Sequence, residues 1–263
     1  MRKLPGITTP AWTWGVDVSV ANGPLDEAKV QQLVAAGCSF AWVKASDGAT
    51  GRDPNFERNW NALAAVGLPF GTYYVFEPSA DPQREADNLA AMLDPVPLDL
   101  ASALDFELAK GLPASVVLSK ARQLADLVDA ALTEESLLYC GKFFLEGLEQ
   151  LAGAKAGAAE GSPAALAWAD VEALSKRRLW VADYGRLSTA GVDPRAVDPR
   201  TGQPYRPRVP APYAADGWTL WQSMGDGGCC LPWSPGTAVD VDWFQGSADE
   251  AYVRLAALAP TAP

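Results

Sequence analysis

Short apolar runs recur along the chain, separated by longer stretches in which apolar residues return every three or four positions. WGVDVSV (Trp14 to Val20), SFAWVKA (Ser39 to Ala45), PFGTYYVFE (Pro69 to Glu77), LASALDFEL (Leu100 to Leu108) and ESLLYCG (Glu135 to Gly141) read as strands. The intervening LDEAKVQQLVAAG, NFERNWNALAAVG, PQREADNLAAML and SVVLSKARQLADLVDAAL have the period of amphipathic helices. Gly37 and Gly67 stand where C-caps are expected, and Asp26 and Glu27 favour the amino end of the first helix. RLWVADYG (Arg178 to Gly185), WTLWQS (Trp218 to Ser223) and TAVDVDWF (Thr237 to Phe244) complete eight predicted strands. The spacing loosens in an Ala/Gly-rich stretch from Ala152 to Ser162, and the proline-rich segment from Asp193 to Pro212 reads as an ordered excursion. Strands alternating with helices predict a parallel α/β sheet, and eight of them without a dinucleotide-type glycine fingerprint favour a closed barrel.

In such barrels chemistry gathers at the carboxyl ends of the strands. Asp17 lies in the first strand, Asp47 just past the second, and Asp105 and Glu107 at the end of the fourth. Asp183 follows the sixth strand, and Asp240 and Asp242 lie in the last. Residues i and i+2 of a strand point the same way, about 6.6 Å apart, so Asp105 and Glu107 are predicted to share one cleft. Each raises the pKa of the other, so one stays ionised while its neighbour keeps a proton near neutral pH and can act as a general acid. Carboxyl pairs of this kind cleave glycosidic bonds. Aromatic residues near strand ends (Trp42, Tyr73, Tyr74, Trp180, Tyr184, Trp218, Trp221) offer faces on which sugar rings stack. Tyr74 and Tyr184 are the stronger candidates because each neighbours an acidic position.

Composition narrows the chemistry. The 263 residues contain no histidine, which excludes Ser-His-Asp and Cys-His catalysis and most zinc sites. The cysteines lack paired C-x-x-C spacing, so no metal and no cofactor are expected. Cys38 and Cys140 read as small core residues, whereas Cys229 and Cys230 could be free thiols or a bridge. A net charge of -11 argues against a nucleic-acid partner. No apolar run reaches the ~20 residues a membrane span needs. The start, MRKLPGITTPAWTW, lacks an apolar h-region, so synthesis in the cytoplasm without a signal peptide is expected.

Seven of these segments, in order, resemble glycoside hydrolase family 25, the Chalaropsis-type lysozymes. GVDVSVANG is similar to the family's opening strand with its active-site Asp, and FAWVKASDG with DPNFERNWNALAAVGLPFGTYYVF to its second and third units. LDFE resembles the D-x-E catalytic strand, LWVADYG the Trp-x-Ala-x-Tyr strand, LWQ the Trp-Gln strand and VDVDWF the closing Asp strand. The resemblance implies a single flattened, TIM-like (β/α)5(β)3 barrel over residues 15–250, with an extension at 1–14 and a helix end and tail at 251–263. It also implies a peptidoglycan hydrolase cutting the β-1,4 bond between N-acetylmuramic acid and N-acetylglucosamine. Carried over, Glu107 is the general acid, Asp105 stabilises the transition state directly or by orienting the substrate's acetamido group, and Asp17 and Asp240 are flanking acids. Asp47, Tyr74, Trp180, Tyr184 and Trp221 are the expected substrate-binding residues. Asp47 stands where the family often has Glu, and Tyr74, Val75 and Phe76 where it often has Tyr-His-Phe. The expected partner is bacterial peptidoglycan and the expected state a monomer, acting on the wall after release by phage or prophage lysis or delivery on a particle. The alternatives are a catalytically silent glycan-binding or structural barrel, and a hydrolase of another N-acetylated glycan such as chitin.

Overall fold

The computed structural model describes residues 11–94, 96–184, 193–196, 198, 201–225, 230–231 and 234–256. Strand β1 (Trp12–Val18) pairs in parallel with β2 (Cys38–Asp47), and the two-residue β3 (Gly51–Arg52) turns back on the end of β2. The parallel order runs on through β4 (Phe70–Val75), β5 (Ala103–Asp105), β6 (Leu137–Gly141), β7 (Leu179–Ala182) and β8 (Leu220–Met224). Strands β9 (Cys230–Leu231) and β10 (Ser234–Ala238) form a separate antiparallel pair. Strand β11 (Asp240–Gln245) lies between β8 and β1, and with the β1–β2 pairing it closes an eight-stranded barrel.

Helices follow the first five barrel strands and, among the described residues, none separates the last three, which is the (β/α)5(β)3 plan. They are α1 (Glu27–Ala35), α2 (Phe56–Val66), α3 (Pro82–Leu93), α4 (Ala114–Leu132) and the pair α5 (Lys142–Ala152) and α6 (Pro163–Ser175). The α5–α6 pair flanks the Ala/Gly-rich stretch, where periodicity alone gives no helix. Helix starts follow local chemistry: Asp26 accepts from the backbone of Lys29, Asp81 from Arg84 and Ser162 from Ala165. Helix α2 ends on Gly67 in the left-handed conformation, as its C-cap position predicts.

One departure from the all-parallel expectation matters for function. Strand β11 runs antiparallel to both neighbours. With no crossover helix after β8, the chain turns back at the rim it has just reached. The amino end of β11 therefore stands beside the carboxyl ends of the other strands, which brings Asp240 opposite Asp17.

Two cores result from the period-two alternation of each strand. Inside the barrel, Phe40, Trp42, Ala103, Leu137, Trp180, Leu220 and Phe244 are fully or nearly fully buried. Trp42 lies 5.1 Å from Trp180, and Phe40 packs edge-on against Trp42 at 5.6 Å. Leu100, together with Ala251 and Leu255 of α7 (Ala248–Leu255), belongs to this inner cluster and floors the barrel. The opposite parity, including Val16, Val43, Tyr74, Leu104, Leu138 and Val181, packs against the helices.

Strands without helices need another cover. Trp12 stacks on Trp218 at 6.0 Å and meets Trp221 and Trp243 edge-on, outside β1, β8 and β11. The proline-rich excursion lies over this cluster: Arg206 sits 5.6 Å from the Trp12 ring, Arg195 4.8 Å from Trp243, and Tyr205 and Val209 pack on the outer core. The described part of the excursion thus serves the barrel's flank.

Filling the interior with indoles leaves no room for a side chain at Gly15, where a Cβ would come within 2.0 Å of the Phe40 ring and 2.4 Å of its carbonyl oxygen. Gly15→Ala is expected to destabilise the fold by about 2–3 kcal/mol, because ring and backbone must both shift. Thermal unfolding followed by circular dichroism checks this, and an unchanged midpoint would contradict the packing.

Candidate active site

Strand parity decides which polar groups face the barrel interior. Tyr73 of β4 pairs across to Ala103 of β5, and the same inward face carries Asp105, two residues further on. Phe106 donates its backbone N–H to the Tyr139 carbonyl, which extends the ladder past β5 so that Glu107 projects with Asp105. Asp17 from β1, Tyr139 from β6, Trp180 from β7, Gln222 from β8 and Asp240 from β11 complete the walls of a cleft of about 100 Å³. Asp242, two residues along β11 from Asp240, lies directly beneath, across from Gly15 and Gln222.

Gln222 joins both sides of this cleft. Its Nε2 donates to Asp17 Oδ2 at 2.8 Å and to Asp240 Oδ2 at 3.3 Å. Its Oε1 accepts from the hydroxyls of Tyr139 at 2.7 Å and Tyr184 at 2.6 Å. Below it, Trp180 Nε1 donates to Asp242 Oδ1 at 2.9 Å.

Desolvation raises several of the acids, although Glu107 itself is exposed and Asp105 half-buried. Burial pushes Asp105 well above the ordinary carboxyl range, and the charges of Glu107 and Asp17 push it further, against the pull of Lys44. Burial also raises Glu107, with hydrogen-bonding contacts from Tyr139 and Asp105 pulling the other way. Two such neighbouring carboxyls titrate as a pair. Asp242 is fully buried, and burial, then Asp17 and Asp240, raise it strongly. One of its oxygens, Oδ2, has no hydrogen-bond partner.

Of the residues expected from sequence, Asp17, Asp105, Glu107, Asp240 and Trp180 line this cleft. Tyr184 reaches it through Gln222, and Gly225 leaves space for its ring, since a Cβ there would come within 2.8 Å. Asp47 sits at the margin, 46% exposed and ion-paired with Lys44 at 2.9 Å. Two expectations are corrected. Tyr74 has the opposite parity from Tyr73, is buried between barrel and helices, and donates to Ser136 Oγ at 3.3 Å. Trp221 likewise points outward, donating to the Asp183 carbonyl at 2.8 Å within the tryptophan cluster. Tyr73 and Gln222, one position away from each, take their places at the cleft. Asp183 is no cleft acid either, because it is ion-paired with Arg208 of the excursion. Tyr139 and Asp242 went unselected, although Asp242 bears the same i+2 relation to Asp240 that joins Glu107 to Asp105.

A larger crevice, about 970 Å³, opens at the opposite end of the barrel between the excursion and α7. Its Glu250 is held below the ordinary range by the Ser247 backbone and hydroxyl, as a helix cap, so it offers no proton donor. Among the described residues no group of three or more His, Cys, Asp or Glu is arranged to hold a metal ion, and no helix is long and apolar enough to cross a membrane. Cys38 and Cys140 are buried free thiols, while Cys229 and the side chain of Cys230 lie outside the described residues.

The sequence profile of glycosyl hydrolases family 25 matches residues 16–158. The uncharacterized protein YegX of Escherichia coli K12 is 29% identical over 132 residues, 49% of this chain and 48% of its own. An autolytic lysozyme of Clostridium acetobutylicum is 26% identical over 112 residues, 43% of this chain and 33% of its own. The matches thus span about half the length of the first relative and a third of the second. A bacterial lysozyme from Streptomyces coelicolor shares the fold, with a TM-score of 0.65 at 20% identity over 92% of this chain and 96% of that one.

A carboxyl raised by burial contributes stability at low pH and loses it as pH climbs from the ordinary Asp range through its raised value. Asp242→Asn keeps the oxygen that Trp180 needs and removes the ionisation. The variant is expected to match the wild type near pH 4 and to become progressively more stable than it as pH rises. Denaturant unfolding at several pH values measures the gap, and a gap independent of pH would show that Asp242 is not held neutral.

Proposed function

Because the chain belongs to glycosyl hydrolases family 25, we propose that it hydrolyses peptidoglycan at the β-1,4 bond between N-acetylmuramic acid and N-acetylglucosamine. The observation that carries this reading is the Asp105–Glu107 pair, a half-buried and an exposed carboxyl that line one cleft at the mouth of a barrel with further acids. Glu107 protonates the glycosidic oxygen as the bond to the anomeric carbon breaks. Asp105, in its ionised form, opposes the positive charge that develops on the muramic acid ring, directly or by orienting the acetamido group. Water then adds to the anomeric carbon and Glu107 regains its proton. Asp17 and Asp240, tied together by Gln222, are the flanking acids that hold the sugar. Tyr184, 37% exposed, offers ring surface to it, Trp180 supports the cleft floor, and Asp47 gives a polar contact at the margin. The substrate lies in the bacterial wall, so the reading carries with it action there after release by lysis or delivery on a particle.

Purified chain incubated with peptidoglycan is expected to release fragments ending in reducing N-acetylmuramic acid, identified by mass spectrometry. Reducing N-acetylglucosamine ends, or free peptides alone, would overturn the assignment.

Glu107→Gln is expected to lower turnover by about 10²–10⁴-fold, since an amide cannot donate the proton. Asp105→Asn is expected to be similarly severe, whereas Asp26→Asn, a helix cap far from the cleft, is expected to leave turnover intact. In the wild type, rising pH strips the raised Glu107 of its proton, so Glu107 sets the alkaline limb of the rate profile. Near-normal turnover by folded Glu107→Gln would move the acid elsewhere.

A further inference from the structure

We propose that a groove beside the cleft, over the β2–β3 hairpin, binds the peptide carried by the muramic acid, and that Arg52 pairs there with a free carboxylate on that peptide. The proposal rests on the reading of the chain as a peptidoglycan hydrolase. It names the part of the substrate that is selected, stems with a free carboxylate over stems in which that group is amidated.

The groove, about 560 Å³, opens on the same rim as the cleft, and Lys44, Asp47, Arg52 and Glu77 are among its walls. It adjoins the catalytic acids, because Lys44 of β2 pairs with Tyr73 of β4, and Tyr73 lines the cleft. Asp105 stands level with Val75, Val75 with Asp47, and Asp47 with Gly51 of β3. Three strand spacings are about 14 Å. The lactyl group of muramic acid and two amino acids extend about 10 Å, and the long Arg52 side chain covers the remainder. In peptidoglycan the second stem residue is a glutamate joined through its side chain, which leaves its main-chain carboxyl free or amidated. That group reaches Arg52, whereas the sugar does not.

Arg52 is held in this position. Asn88 of α3, 8% exposed, donates to the carbonyls of Gly48 at 3.1 Å and Gly51 at 2.9 Å and so ties down the hairpin. Its Oδ1 accepts from Arg52 Nε at 3.1 Å. An arginine anchored at Nε keeps its two terminal nitrogens for a ligand, and the planar fork they form matches a carboxylate. Among the described residues those terminal nitrogens have no partner.

The other charges in the groove are already engaged. Asp47 and Lys44 pair at 2.9 Å. Asp53, 7% exposed, accepts from the backbone N–H groups of Val20 at 2.7 Å and Asn55 at 2.8 Å. Glu77 accepts from the Ser79 hydroxyl and is ion-paired with Lys110 at 3.2 Å. Arg52 is thus the charge left for a ligand, and the group it takes is an anion. The Asp53 bond also brings Val20 to the groove, where its side chain, 51% exposed, offers an apolar contact to the methyl groups of the lactyl unit and the first stem residue.

Two soluble substrates test the selection: uncrosslinked glycan chains with free stem carboxylates, and the same chains amidated at the second stem residue. Release of reducing ends gives kcat/KM on each. The wild type is expected to favour the free-acid chains by about three- to fivefold, the size of a charge pair at an exposed site, and mostly through KM. Added salt is expected to shrink that preference, and Arg52→Gln to abolish it. A wild type without the preference, or a variant that keeps it, overturns the proposal. Binding is read apart from turnover by the Arg52 Nε–H signal of the full ¹⁵N-labelled chain, assigned by its loss in Arg52→Gln. Millimolar Ala-γ-D-Glu-Lys is expected to shift this signal, and the same peptide amidated at the glutamate to shift it less. Equal shifts, or none, overturn the proposal. If neither substrate releases reducing ends, the hydrolase reading falls, and the peptide titration still decides whether the groove takes the carboxylate.

Discussion

Five carboxyl groups converge on one end of a closed barrel: Asp17, Asp105, Glu107 and Asp240 line the cleft, and Asp242 lies under it. Lys44 is the cation that acts on Asp105, and it is shared with Asp47. A low-dielectric pocket cannot hold that many negative charges with so little to balance them, so some of the acids keep their protons. The polar architecture around the cleft answers this constraint. Gln222 supplies neutral donors to Asp17 and Asp240, and the Trp180 indole does so for Asp242. The aromatic interior that excludes water from the barrel is also what makes these acids chemically unusual.

Assembling the acids requires the barrel to close, and closure depends on the strand that breaks the parallel pattern. Entering at the rim, β11 contributes Asp240 and Asp242 from its amino end, where a parallel strand would contribute from its carboxyl end. The helix-free side that results exposes a band of tryptophans, and the proline-rich excursion covers it. Arg208 ties that cover to Asp183 just past β7, so the flank is anchored within one residue of Tyr184 at the cleft. Fold and site are therefore linked where helices are missing.

Much of this was legible in the chain. The D-x-E spacing at Asp105 and Glu107 needs only the period of two, and the first four helical units follow from periodicity and caps. Facing was harder to read. A barrel strand is apolar on both sides, one towards the helices and one towards the interior, so apolar pattern does not reveal which parity points inward. Tyr73 and Tyr74, or Trp221 and Gln222, are equivalent on that criterion, and in both pairs the less expected residue faces the cleft. The polar Gln222 within LWQ was the better signal, because a buried amide needs partners that the outer apolar layer cannot give. The reversal of β11 has no local mark in its sequence, since it comes from the lack of a crossover before it.

Burial alone cannot make one member of an acid pair the donor. It raises Asp105 and Glu107 together, so it favours a retained proton without choosing its owner. Choice requires something directional. Lys44 is directional in charge and favours the ionised state on its side, at Asp105.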